Sequence, residues 1–172
     1  MKKNLGEEIT ATKVALLKAI DGLDQDNINT VPFEGSWTGG QVAEHVLKSA
    51  AGVLTAITGE AKPAERDPEQ HVQMLADAFL NFEVKMKSPD FIIPSDEPKD
   101  KGYLVAALEK TFDSIARVAE TDDLTLICTT FEMPMLGYLS RSEFINFTVF
   151  HTKRHTHQLE NILKHLKEHD NA

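Results

Sequence analysis

Hydrophobic positions recur at steps of three and four through most of the chain. Leu5, Ile9, Thr12, Leu16, Ala19 and Leu23 keep this spacing, which lines them up on one face of an α-helix. Val72, Leu75, Ala76, Phe79, Phe82 and Met86 repeat it, as do Leu104, Leu108, Phe112, Ile115 and Ala119. The pattern predicts three amphipathic helices. The second of them opens at Asp67-Pro68, because Asp accepts from the unpaired N–H groups of a first turn and Pro has none to lose there. Two further helices announce their starts. Thr38-Gly39-Gly40-Gln41 and Ser140-Arg141-Ser142-Glu143 each place a hydroxyl three residues before a long side-chain acceptor, so that each satisfies the other's backbone donor. These boxes predict helices running from Thr38 to about Thr58-Gly59 and from Ser140 to about Lys167.

The intervening stretches "GEAKPAERDPE" and "SPDFIIPSDEPKDKG" are rich in Pro and charge and read as loops. Within "LTLICTTFEMPMLGYLS" the β-branched "TLICTTF" would suit a short strand, with no partner strand evident. There is no repeat and no low-complexity tract. The expectation is a single domain over residues 1–172, all-α, built as a four-helix bundle with an additional short or peripheral element. A chain of 172 residues can bury a sufficient core without disulfides or a structural metal.

Charge narrows the partners. With 27 acidic and 18 basic residues the formal net charge is −9, and no run of Lys and Arg is dense enough to offset it, so nucleic acid is not an expected partner. No apolar run approaches the roughly 20 residues needed to span a bilayer, so no membrane is expected either. In "MKKNLGEEIT" acidic residues stand where a signal peptide needs an apolar stretch, and the single Cys128 cannot form an intrachain disulfide. A cytoplasmic location is the expectation.

Three of the seven histidines crowd into "FHTKRHTHQL" near the end of the chain. At about 100° per residue, Phe144, Phe147, His151, His155, Leu159, Ile162 and Leu166 share one stripe of the last helix. His157 falls on the opposite side with Lys153, Asn161 and Lys164 and reads as solvated. One histidine on an apolar stripe is ordinarily a hydrogen-bonded core residue. Two of them, a turn apart, bring buried ring nitrogens that cost about 1–3 kcal/mol each if unpaired, and protonating both would set like charges side by side. A divalent cation accepting both lone pairs removes the two problems together. On the helix from Thr38 the apolar arc holds Ala43, Val46, Leu47, Ala50, Leu54 and Ile57, with His45 at its edge beside Ser49, Gly52 and Ala56 and with Glu44 pointing elsewhere. Helix geometry alone favours His45 as a half-exposed boundary residue. His71, His165 and His169 are assigned to the surface.

On these residues the chain resembles the DinB/YfiT-like superfamily, specifically its DinB_2 branch, over nearly its whole length. The resemblance rests on "SWTGGQVAEHV", with Trp37 and the capping Thr leading to His45, on "KMKSPDFIIPS", and most specifically on "MPMLGYLSRSEFINFTVFHTKRHTHQLENI". It implies a four-helix bundle in which three histidines, one from the second helix and an H-x3-H pair from the last, bind a divalent metal. By position these are His45, His151 and His155. The family takes its name from DNA-damage-inducible bacterial genes, and the relatives include thiol S-transferases and isomerases that use bacillithiol or mycothiol, metal-dependent hydrolases, and many members without a known activity.

Three imidazoles leave at least one coordination position open, as in catalytic rather than structural zinc. The expected function is therefore a divalent-metal-dependent enzyme, foremost a thiol S-transferase joining a low-molecular-weight thiol to an electrophile. The alternatives are a metal-dependent hydrolase and a non-catalytic, stress-related metal-binding bundle. Zinc and nickel head the candidate metals. Gln158 faces the same way as the histidine pair and is placed equally as a partner of a ligand or substrate and as a helix-packing residue. No catalytic residue beyond the ligands is assigned. Cys128 reads as packing, and Phe131, Met133, Met135, Leu136 and Tyr138 read as an apolar plug at one end of the bundle. Family habit suggests a homodimer.

Overall fold

Four helices of 17, 20, 21 and 30 residues make the bundle: α1 (Leu5–Asp21), α2 (Gly39–Thr58), α4 (Lys101–Thr121) and α5 (Arg141–Asp170). The structure is a computed structural model and describes residues 4–172; the basic start at positions 1 to 3 lies outside the described residues. Both capping boxes are present, with Thr38 and Gln41 closing the start of α2 and Ser140 and Glu143 that of α5. Asn4 and Asp100 cap α1 and α4 with their side chains. No helix among the described residues is long and apolar enough to cross a membrane.

The apolar stripes decide the packing. α1 and α2 each lie against both α4 and α5, which puts α2, with His45, and α5, with His151 and His155, side by side. Ile9, Leu16 and Ile20 of α1, Val42, Val46 and Ile57 of α2, Leu108, Phe112 and Ile115 of α4, and Phe144, Ile145 and Leu159 of α5 are fully or almost fully buried in one cluster. Each side chain of this kind contributes about 1.5–3 kcal/mol when removed from water.

The segment after α2 departs from the sequence pattern. The helix expected over 72–86 is short: α3 spans Val72–Phe79, and Phe82 and Met86 lie outside it, exposed. Arg154 of α5 takes the carbonyls of Asn81 and Val84, which draws the chain out of helical register there. The start is also later than Asp67-Pro68. Asp67 accepts from the Glu69 N–H in a local turn, its carbonyl is taken by Arg66, and the Pro68 carbonyl is taken by the Ser140 hydroxyl, so the segment is tied to the start of α5 before it can wind. The short strand does form and has a partner. β2 (Ile127–Cys128) pairs antiparallel with β1 (Ala61–Lys62), inside the stretch expected to be a loop. With two residues per strand the molecule is mostly helical, and Cys128 of β2 joins the helices' core.

Candidate metal centre

His45 sits on α2 and His151 and His155 on α5, and the packing of these helices aims all three rings at one point. His45 Nε2 lies 3.0 Å from His151 Nε2 and 3.0 Å from His155 Nε2. His45 and His151 are 3 % and 5 % exposed, and His155 is half-buried. The reading of His45 as a half-exposed boundary residue is thus overturned by the neighbouring helix and by Ile92, which close over it.

The other ring nitrogens reveal which lone pairs meet. His45 Nδ1 is 2.9 Å from the Ile92 carbonyl, which can only accept, so Nδ1 carries the proton and Nε2 is a bare acceptor. His155 Nδ1 is 2.8 Å from Gln158 Oε1, and with the amide oxygen facing the ring Nδ1 carries the proton here as well. No such partner sets the tautomer of His151 among the described residues, so it can offer a proton to His45 or a lone pair to the centre. The contact between His45 and His155 has no such freedom. Two acceptor nitrogens face each other at 3.0 Å with no proton between them, an arrangement that calls for an electrophile at the point of convergence.

Protonation is a poor electrophile here. Burial lowers the pKa of His45, against the opposing pull of the Ile92 carbonyl. Burial, then the neighbouring His155 and His45 rings and Arg154, hold His151 far below its ordinary value. Burial and His45 lower His155 to about 3, although its bond to Gln158 works the other way. All three rings are therefore neutral near pH 7, the state in which imidazole binds metal. Nitrogen ligands at about 2.0–2.1 Å in a tetrahedral shell stand about 3.3 Å apart, close to the 3.0 Å contacts of the cluster. No carboxylate or thiol joins the three within 4.8 Å among the described residues. The donor set fits a divalent ion with an open position.

Aromatic rings wall the cluster. Trp37 lies 5.1 Å from His45, Phe147 stacks on His151 at 5.2 Å, and Phe79 of α3 meets His151 at 5.9 Å. Glu44 turns away, as its position on α2 implies, to bond Lys99 and the Ser95 N–H. Burial raises its pKa, but these partners and Lys48 together hold it below the ordinary carboxylate value. Gln158, placed equally as partner and packing residue from sequence, is a hydrogen-bond partner of His155.

The remaining candidates lie elsewhere. His157 is exposed, stacked on Phe82 at 4.6 Å and bonded to Asn161. His169 is exposed, while His71 and His165 are half-buried, His165 beside the Phe33 ring. The Cys128 thiol is fully buried and pushed up to about 11 by that burial, with Arg141 pulling weakly the other way, so it stays protonated. Phe131, Met133 and Leu136 pack on the core while Met135 and Tyr138 are exposed. The sequence reading missed the Ile92 carbonyl. A main-chain acceptor leaves no mark on composition, and the one available signal was the "KMKSPDFIIPS" stretch that carries part of the family resemblance.

A family model of the DinB superfamily matches residues 8–159, a span that contains His45, His151 and His155. No curated protein and no solved structure matches the chain.

Proposed function

The chain belongs to the DinB superfamily, and on that premise we propose that it is a divalent-metal-dependent thiol S-transferase with His45, His151 and His155 as the metal ligands. The observation that carries the proposal is the pair of lone pairs on His45 and His155, facing each other at 3.0 Å with no proton between them. Bound there, zinc or nickel would supply a Lewis acid that lowers the pKa of a thiol reaching its open position. The chain's own residues prepare for this. The Ile92 carbonyl and Gln158 orient two of the rings, burial keeps all three neutral, and Trp37, Phe79 and Phe147 keep bulk water from the cluster.

A thiol is favoured over water as the nucleophile because hydrolysis asks for a base to receive the water's proton. The described residues place no carboxylate with the three imidazoles, and Glu44 is engaged by Lys99. In the transfer, the thiol sulfur forms a bond to the electrophilic carbon while the bond to the leaving group breaks and its electron pair departs with that group. The thiol proton passes to solvent. The cosubstrates are a small thiol and a soft electrophile.

The test is thiol consumption with bacillithiol, glutathione, cysteine and coenzyme A against model electrophiles, using metal-loaded and chelated protein. Turnover should follow metal occupancy, vanish in His151→Ala and persist in Cys128→Ala. Turnover with an ester or amide alone replaces the transferase with a hydrolase. If metal binds and neither class reacts, the protein is a metal-binding bundle.

A further inference from the structure

Residues 80–93 leave α3 and cross from α5 to α2 at the level of the three histidines, with only the 3-10 turn Asp90–Ile92 as regular structure. One end is fastened to α5. Arg154 donates to the Asn81 carbonyl at 2.9 Å and to the Val84 carbonyl, and Phe82 lies nearly parallel on His157. The other end is fastened to α2. The Ile92 side chain is buried, its carbonyl accepts from His45 Nδ1 at 2.9 Å, and the Ile93 carbonyl accepts from Lys48 at 2.8 Å. Between these fastenings Lys85, Met86 and Lys87 are exposed. The segment is a strap clasped at two places, and one clasp is a ring of the candidate metal centre.

We propose that docking of this strap and metal occupancy are coupled through the bond from His45 Nδ1 to the Ile92 carbonyl, with Arg154 as the positioning residue at the strap's far end. The inference rests on the metal reading above. Its physical basis is the two-faced chemistry of imidazole. A cation on Nε2 withdraws electron density from the ring and makes Nδ1–H a stronger donor, so the bond to Ile92 gains the character of a charge-assisted hydrogen bond. In the other direction, the docked carbonyl keeps the proton on Nδ1 and the lone pair of Nε2 on the cluster. Arg154 enters through chain entropy. Releasing its clasp lengthens the unfastened chain before Ile92 from the stretch after Val84 to the stretch after Phe82, or after Phe79 where the Phe82 stack is lost with it, which weakens docking by up to about twofold from loop closure alone. The coupling is reciprocal, since the factor by which metal favours the docked strap must equal the factor by which docking favours metal.

Arg154 also carries a charge close enough to be felt at His151 and His155. Removing that charge would tighten binding of a dication, opposite in sign to the loss of the strap. The informative substitution is therefore Arg154→Lys, which keeps the cation and loses the planar fork that reaches two carbonyls. The experiment is hydrogen exchange resolved by peptide on the full chain, with chelator and with zinc, together with zinc affinity measured by competition against a chromophoric chelator.

Zinc should slow exchange in peptides covering 81–93 several-fold while leaving those of α4 unchanged. Arg154→Lys should speed exchange in the same peptides and weaken zinc binding by about two- to tenfold. Equal exchange of the strap with and without bound zinc overturns the coupling, and this wild-type comparison stands by itself should the variant fail to fold. Unchanged zinc affinity in a variant whose strap exchanges faster overturns it as well. A wild-type chain that binds no zinc or nickel overturns the metal reading and this inference together, which separates that failure from a failure of the coupling alone.

Discussion

Two buried polar clusters lie on α5, fewer than three turns apart, and they are satisfied in opposite ways. At the helix start Glu143 is fully buried with four donors around it: both terminal nitrogens of Arg66, at 2.6 and 3.1 Å, and the N–H groups of Ser140 and His71, at 2.9 and 2.8 Å. An ionised carboxylate offers about four acceptor sites, and the protein fills them. Further along, the three imidazoles bring acceptor toward acceptor and leave the contact between His45 and His155 without a proton. Both clusters carry the cost of burying polar atoms. Only the first repays it within the chain, by tying the loop before α3 to the start of α5. A buried cluster that is complete in itself holds structure; one whose surplus is all of one sign points to a component from outside.

The sharpest way to break the comparison is to remove the completed cluster. Glu143→Ala takes the carboxylate from the Arg66 guanidinium, which keeps only the Asp67 and Tyr138 carbonyls, and leaves two backbone N–H groups without their acceptor. Breaking a buried ion pair from one side costs about 3–5 kcal/mol, and the lower end is expected because Arg66 is 25 % exposed and can rehydrate. Urea denaturation should record a loss of about 3 kcal/mol, while the folded fraction still binds metal. Loss of metal binding with stability intact would reverse the assignment of the two clusters.

This contrast also explains what the sequence could convey. Caps at Thr38 and Ser140 were legible because a capping box is complete within four residues. The facing of His151 and His155 away from His157 was legible because one helix period fixes it. Burial of His45 was not, since it depends on α5 and on Ile92, 47 residues away in sequence. For the same reason the apolar spacing of Phe82 and Met86 misled: Arg154, 70 residues from Val84, competes for the carbonyls a longer α3 would have used. Pairing of Ala61–Lys62 with Ile127–Cys128 is likewise non-local and too short to leave an alternating pattern.

A second substitution sharpens the open cluster without touching a proposed ligand. In Gln158→Leu the Nδ1–H of His155 loses its acceptor, and the ring can shift its proton to Nε2 and donate to His45. The cluster then satisfies itself internally, as the Glu143 cluster does. Metal affinity should fall by about 10- to 100-fold, the usual effect of losing a partner that orients a ligating imidazole, as measured by competition with a chelator. Unchanged affinity would assign Gln158 to packing alone.

The smallest effect concerns protons in place of metal, and its sign follows from the direction of the histidine shifts. In the unfolded chain a histidine titrates near ~6.5, whereas burial and neighbouring rings lower all three in the folded protein, His155 to about 3. Well above pH 6.5 neither state is protonated and these groups leave stability independent of pH. Below it the unfolded chain takes up protons that the folded chain refuses, so stability falls as pH falls until the folded pKa is reached. For one histidine the slope is half its limit at pH 6.5 and approaches about 1.4 kcal/mol per pH unit a unit or more below it. Chelated His155→Gln protein should therefore lose about 1 kcal/mol less than the chelated wild type between pH 6.5 and 5.5, read from urea midpoints at the two pH values. Equal losses would mean that His155 is protonated in the folded protein without metal. The two acceptor nitrogens would then share that proton, and the lone-pair argument for a metal would lose its footing.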